Sequence, residues 1–324
     1  MTQVFPSRSR FIPAVLFKML RSIGFQAVDM HFHSAYSMDA ASSIPSVLKK
    51  CKSRGYGVAI TDHNEIKGAV RAWQHRKELF VIPGIEASTR EGVHVLYYFY
   101  DIGLCKQFYS NVVVPLKKKN PFFLPLRVDE LMDKARDYSA VACVAHPYGV
   151  GRIGIKKVRV QGGMSCIAKK FNLAEGLNGS NLRKLNKKAM SWAHLMHKEM
   201  IAGSDGHITK ELGGALTLAY GYDVESYLKS CVKGHAVLLG KELNIFVNAL
   251  RQVSKERTYF RTARSLGLGW LWLTDHAREL RMLDRKLKHS RMHYYARRAG
   301  LTREAYSNYV KLRLGGYDAT KTDR

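Results

Sequence analysis

Asp29-Met30-His31-Phe32-His33 is the stretch on which the reading of this chain turns. On an extended strand successive side chains point to opposite faces, so Asp29, His31 and His33 share one face and Val28, Met30 and Phe32 the other. Two imidazoles on one face at a strand end can grip one metal ion. Working outward, apolar runs at 28–32, 57–61, 79–83, 93–100, 140–145, 171–174, 200–203 and 236–239 read as strands. Amphipathic stretches at 45–54, 65–79, 128–137, 181–198 and 224–232 read as helices between them. This alternation predicts an α/β protein with a parallel sheet, either a barrel or a doubly wound layer. In such folds function gathers at the C-terminal ends of the strands.

The residues at those ends are chemically loaded. Strand 57–61 runs into Asp62-His63-Asn64, and 79–83 into Gly84-Ile85-Glu86. The next strand opens with His94, the following one ends at His146-Pro147, and 200–203 runs into Ser204-Asp205-Gly206-His207. Six of the 13 histidines (His31, His33, His63, His94, His146 and His207) sit at these points. Ordinary core packing explains any one of them, but a buried cluster of imidazoles and carboxylates is costly without a cation. Multi-metal binding is the economical account. Glu175 ends another strand facing the same mouth, where it is expected to support a ligand histidine.

The ordered set HxH, an acidic residue at Asp39, Thr61-Asp62-His63-Asn64, Gly84-Ile85-Glu86, His94, His146-Pro147 and Ser204-Asp205-Gly206-His207 resembles the polymerase and histidinol phosphatase superfamily, the PHP domain. The resemblance covers residues 28–215. It implies a distorted (β/α)7 TIM-like barrel with two or three divalent metal ions at the strand C-terminal ends. It also implies nine ligands: His31, His33, Asp39, His63, Glu86, His94, His146, Asp205 and His207. On that pattern His31, His33, Glu86 and Asp205 hold or border one metal, with His207 completing the first pair. Asp39 and His63 serve a second metal, bridged by Glu86, and His94 and His146 a third. One departure is visible, because the acidic residue of Ser37-Met38-Asp39-Ala40 is shifted by one position from the family's usual ending. Histidine with carboxylate suits Mn, Zn or Fe. The closing Asp-x-His also differs from amidohydrolase barrels, which close on a lone Asp.

Paired cations lower the pKa of a bridging water and clamp phosphoryl oxygens, so hydrolysis of a phosphomonoester or phosphodiester is the expected reaction. His207 or Asp205 is placed to move the proton. Arg152, in a glycine-flanked loop six residues after His146, is the candidate phosphate anchor, since guanidinium grips phosphate bidentately. Ser34, Asn178 and Ser180 are candidate pocket residues. Two rivals stand beside this reading: a histidinol-phosphate-like small-molecule phosphatase, and a non-catalytic nucleic-acid-binding or assembly module. Basic loops argue against the first, and the filled ligand positions against the second.

The rest of the chain sets the context. With 46% hydrophobic and 24% charged residues it can fill a core, but 53 Lys and Arg against 26 Asp and Glu leave a net +27. Such a surface attracts phosphorylated molecules, nucleic acid or acidic membrane. Residues 1–27 read as a basic, amphipathic segment lying on the domain or a membrane, and 28–240 as the phosphoesterase domain. Residues 241–324 read as a basic helical extension, with 19 Lys and Arg against 8 Asp and Glu, net +11. This extension is expected to cap the barrel, with its outer face open to nucleic acid or acidic membrane. Residues 101–127 and 151–169 read as basic loops over the barrel. His194 and His197 read as surface histidines, and Met190, Trp192, Leu195 and Met196 as core. No apolar run suits a transmembrane helix. Five scattered cysteines suggest neither disulfides nor a thiolate metal site, which fits a reducing cytoplasm.

Overall fold

The computed structural model describes residues 3–6, 14–117, 123–149 and 164–240. The chain enters through strand β1 (Gln3–Pro6) and helix α1 (Ala14–Ser22), followed by β2 (Phe25–Phe32), α2 (Ile44–Arg54), β3 (Gly57–Ile60), α3 (Lys67–Trp73), β4 (Val81–Ser88) and β5 (His94–Tyr98). Helices α4 (Ile102–Phe108), α5 (Val114–Lys117) and α6 (Val128–Ala135) lead to β6 (Val141–Val144). Then come α7 (Met164–Lys170), β7 (Leu173–Asn178), α8 (Arg183–Leu195), β8 (Glu199–Gly203), β9 (Ala215–Tyr220), α9 (Val224–Val232) and β10 (Val237–Gly240).

All ten strands form one sheet, in the order β1-β10-β9-β2-β3-β4-β5-β6-β7-β8. Its long arm, β2 to β8, curls back on itself. The segment after β8 meets β2 through Asp205 N–H donating to His31 O (2.7 Å) and His33 N–H donating to Gly206 O (2.9 Å). Gly203 permits this closure, because a Cβ there would collide with the His31 side chain and backbone. The result is a distorted, nearly closed TIM-like barrel.

The expected all-parallel sheet needs one correction. β2-β3-β4 and β6-β7-β8 are parallel, but β5 runs antiparallel to both its neighbours. Only a short turn separates Ser88 from His94, which suits a hairpin and not a helical crossover. β9 carried no strand expectation; it pairs antiparallel with β2 and β10.

Residues 101–117 are helical rather than a loop. Asp101 Oδ1 caps α4 by accepting from Gly103 N–H (2.6 Å) and Leu104 N–H (3.1 Å). Cys105, Phe108, Val112 and Val113 then bury one helical face, through a π-helical turn at Tyr109–Val113. Part of 151–169 is likewise helical, in α7. The helix expected over 65–79 contracts to α3.

Elsewhere the local rules are met. Ser43 Oγ accepts from Ser46 N–H at the start of α2, a proline sits in its first turn, and Gly55 at φ 80° ends it. On α1, Phe17 is buried edge-on against Tyr56, whereas Val15, Leu16 and Met19, and Ile23 just after the helix, are exposed. Among the described residues no helix is long and apolar enough to cross a membrane. Trp192 is buried and Met190 and Met196 pack against the core, but Leu195, expected inside, is 73% exposed. The extension at 241–324 lies outside the described residues.

Candidate metal centre

Every strand of the barrel delivers a polar group to one mouth. His31 lies in β2 and His33 just beyond it, and Glu86 is in β4. His63 follows β3, His146 follows β6 and Asp205 follows β8. His94 is the first residue of its strand, yet reaches the same mouth because β5 is reversed and pairs His94 with Ser88. Asp29 does not join the cluster. A register irregularity in β2 turns its carboxylate to accept from Ser204 N–H and Gly213 N–H, both at 2.8 Å, so it fastens the β8–β9 connection. Burial pushes its pKa up to about 6, against the pull of these hydrogen bonds.

Glu86 is the hub. Its Oε1 lies 2.9 Å from His94 Nδ1 and 3.2 Å from His146 Nε2. Its Oε2 lies 3.3 Å from both His31 Nε2 and His33 Nε2, and 3.0 Å from His63 Nδ1. Asp39 makes a second pole, with Oδ2 2.8 Å from His207 Nε2 and 3.5 Å from His63 Nε2. Asp205 Oδ1 lies 3.3 Å from His33 Nε2. Ligand atoms gather within 4.8 Å of one another in three sets: His33, Asp39, His63 and His207; His31, His33 and Glu86; His63, Glu86 and His94. His146 and Asp205 border these sets. His207 sits with Asp39 and His63, and His33 is shared between two sets. The structure thus brings all nine sequence candidates into one mouth, while Arg152 lies outside the described residues.

The chemistry of this donor set fits divalent cations. Glu86 is fully buried, which alone would raise its pKa, but His63, His94 and His31 outweigh burial and hold it well below the carboxylate range. Burial, with His207 and His63 alongside, keeps His33 well below the ordinary imidazole value. Burial also outweighs Glu86 at His94, whose pKa falls to about 4. At His63 and His31 burial is outweighed by carboxylates: Glu86 and Asp39 raise His63 to about 10, and Glu175 and Glu86 raise His31. A cation there would take the place of a proton, neutral imidazole being the form that ligates metal. Glu86 Oε2 and the Nδ1 atoms of His33, His63 and His146 are buried without a hydrogen-bond partner. Leaving such atoms unsatisfied costs about 1–3 kcal/mol each, and a cation among these converging donors would satisfy several of them at once.

A supporting layer holds the cluster. Glu175 Oε1 lies 3.0 Å from His31 Nδ1, and its Oε2 accepts from His146 N–H (2.7 Å) and Asn178 Nδ2 (3.0 Å). Asn178 also reaches Asp205 Oδ2 at 3.3 Å. Ser180 Oγ donates to the main chain of Ser204 and Asp205, both at 2.9 Å. Ser34 Oγ donates to Asp62 Oδ2 at 2.7 Å. These three polar residues therefore brace the site rather than point at a substrate.

Three contributors had no role assigned in the sequence reading. Asp62 holds Ser34, and burial raises its pKa to about 7 against that hydrogen bond. Glu211 Oε2 accepts from His207 N–H at 2.8 Å. Ser37 Oγ donates to Asp39 Oδ1 at 2.9 Å, steadying the shifted acid. The sequence signal for Asp62 was its place inside Thr-Asp-His-Asn and that for Ser37 its place two residues before Asp39; Glu211 had none. Asn64, His146 and Asp205 also adopt positive φ (49°, 26° and 48°), a conformation that concentrates at functional sites.

An α/β barrel with a buried histidine and carboxylate cluster at its strand C-terminal ends defines a metal-dependent hydrolase class. The PHP domain family matches residues 29–284, and the chain belongs to that family. An uncharacterized protein of Methanocaldococcus jannaschii is 31% identical over 133 residues, 37% of this chain and 67% of that protein. Among solved structures, the chain is similar to a two-domain protein from Bacteroides vulgatus that contains a predicted PHP-like metal-dependent phosphoesterase. There the TM-score is 0.52, with 13% identity, covering 71% of this chain and 70% of that one. It is also similar to a lesion-specific endonuclease, endonuclease Q, from Pyrococcus furiosus, with a TM-score of 0.50, 14% identity, and 66% and 57% of the two chains covered. A structure of endonuclease Q with a 27-mer duplex carrying an abasic lesion gives a TM-score of 0.52, 17% identity, and 65% and 57% coverage. At these identities the likeness is one of fold, and the chain spans 57% of the endonuclease Q chains.

Proposed function

We propose that this protein hydrolyses phosphate esters at a centre of two or three divalent cations. The observation that carries this is Glu86, buried at the barrel mouth with one oxygen unpartnered and the imidazoles of His31, His33, His63, His94 and His146 around it. Those residues, with Asp39, Asp205 and His207, are the ligand set; histidine with carboxylate suits Mn, Zn or Fe. When bound, such cations supply an activated water and neutralise the phosphoryl oxygens.

The chain's own groups do the rest. Glu175 fixes the His31 ring through its Nδ1 and the His146 backbone through its N–H. His207 is engaged on both nitrogens, by Asp39 Oδ2 and Asp205 O, so its ring is held rather than free to turn. Asp205, whose side chain is 12% exposed at the mouth, is the group placed to accept the proton from water. Arg152 is assigned to anchoring the phosphate. A small cationic substrate of the histidinol-phosphate kind suits the basic surroundings less well than a polyanion.

The test is metal analysis of the purified protein, followed by nitrophenol release from nitrophenyl phosphate and bis(nitrophenyl) phosphate with Mn, Zn or Fe. Turnover that follows metal content is the expected result. Metal-loaded protein with no turnover on either ester would overturn the reading.

A further inference from the structure

A basic cleft opens beside the metal mouth, lined by Tyr148 and, along α8, by Lys184, Lys187, Lys188, Trp192 and Leu195. Both of its rims start at the cluster. Tyr148 lies on the turn closed by Gly149 N–H donating to His146 O (2.7 Å). The first turns of α8 are pinned to β7 by Asn186, whose Oδ1 accepts from Asn178 N–H (3.2 Å) and whose Nδ2 donates to Asn178 O (3.0 Å). Asn178 in turn touches Glu175 and Asp205. From Lys184 to Leu195 the helix carries the cleft about 16 Å away from the mouth along the outer wall of the barrel, at ~1.5 Å per residue.

The cleft violates the ordinary design of a helix. α8 carries Arg183, Lys184, Lys187 and Lys188, no acidic residue at all, and two of its cations occupy the first turn. The macrodipole there is positive and favours acids, so stability does not account for these residues. No carboxylate pairs with Lys184, Lys187 or Lys188 among the described residues. Three ammonium groups on one helical face demand a run of anions. The partly buried Tyr148 and the exposed Leu195 supply apolar surface beside them, suited to bases rather than to bare polyphosphate.

We infer that this cleft holds a single nucleic-acid strand leading to or from the metal centre, with the α8 lysines on its phosphates. The inference deepens the phosphoesterase reading and rests on it for the direction of the strand. Binding itself is testable without turnover. A fluorescent oligothymidylate is titrated against full-length protein in chelator, at several salt concentrations, and compared with Lys184→Ala/Lys187→Ala/Lys188→Ala. All three side chains are exposed, and an unchanged unfolding midpoint shows that the variant is folded.

The expected result is an affinity lower by about tenfold or more, with a log–log salt slope shallower by about two, since each single-strand phosphate contact contributes ~0.7. Lys49→Ala/Lys52→Ala/Lys77→Ala removes the same charge at the opposite end of the barrel and should stay within about twofold of wild type. Equal losses in both triple variants would reduce the effect to net charge and overturn the inference. So would wild-type protein that ignores the oligonucleotide, or that binds only vesicles of phosphatidylglycerol and phosphatidylcholine. Absence of nitrophenyl ester turnover would sink the phosphoesterase reading and leave this binding result standing on its own.

Discussion

The two ends of the barrel share a backbone problem but differ in what they bury. At the end away from the metal centre, left-handed residues close helices before the next strand, at Gly55 after α2 and Gly234 after α9, where glycine fits without strain, and at Ser139 before β6 and His197 before β8. At the mouth the left-handed positions are Asn64, His146 and Asp205, two of which are candidate ligands. Charged pairs at the far end, such as Lys52 with Glu78, are exposed and individually worth little. At the mouth His31, His33 and Glu86 are fully buried. Non-glycine residues take the left-handed conformation at both ends, so desolvation is what sets the mouth apart, and folding does not require it. The gap between them is a measure of what the cations must supply.

Removing the cations should break that contrast most visibly. Chelation is expected to abolish turnover and lower the unfolding temperature by about 5–10 °C relative to metal at ~100 times its Kd, corresponding to ~2.7 kcal/mol of lost binding. Calorimetry with and without chelator checks this, and an unfolding temperature indifferent to metal would mean the cluster closes on itself. Glu86→Gln should lower metal content and reduce kcat/KM by more than ~100-fold, beyond what a supporting residue costs. Full metal occupancy with intact turnover in that variant would remove Glu86 from the hub.

Glu175→Gln sharpens the comparison one layer out. Its carboxylate touches His31 and the His146 backbone, so metal affinity and activity should each fall about 10–100-fold while the barrel stays folded. Metal titration and steady-state kinetics on the same preparation separate the two effects. Loss of the fold instead would place Glu175 among the structural residues.

Much of this contrast was readable before any coordinates. Strand ends loaded with His31, His33, His63, Glu86, His146 and Asp205 show their chemistry because apolar runs point to them directly. The reversal of β5 was hidden, since an apolar strand looks the same in either direction and only the shortness of the turn before His94 hints at it. The α4 region was hidden because Pro115 and a lysine run mask an apolar face spaced as a helix. Asp62 reaches Ser34 across 28 residues, a separation no local pattern encodes, whereas Ser37 and Glu211 bond residues two and four positions away, where only the folded turn brings the groups together. The α8 lysines carry no pattern that separates them from any other exposed basic helix, because Tyr148 lies far from them in sequence.

At the far end, Gly55→Ala should cost stability alone. The residue sits at φ 80°, and an added Cβ would lie 3.1 Å from Ala14 O. About 1 kcal/mol of destabilisation is expected, a drop of ~2–4 °C, with metal content unchanged. Thermal unfolding beside metal analysis is the check, and a loss of metal would mean that strain travels between the ends.

The smallest effect is expected from His194→Ala, and it tests whether histidine alone marks the site. His194 lies in the last turn of α8, exposed, with His197 three residues on and also exposed. Among the described residues it has no carboxylate neighbour of the kind that surrounds His63 or His94, and it does not line the cleft beneath the α8 lysines. A cation there would meet one or two solvated imidazoles, far short of the converging buried donors at Glu86. Stability should therefore change by less than ~0.5 kcal/mol, and metal content, ester turnover and oligonucleotide affinity should match wild type. Metal analysis is the most telling of these measurements. If His194→Ala removed even one cation, the α8 surface would belong to the metal-binding half of the molecule, and the division between mouth and periphery would have to be redrawn around that helix.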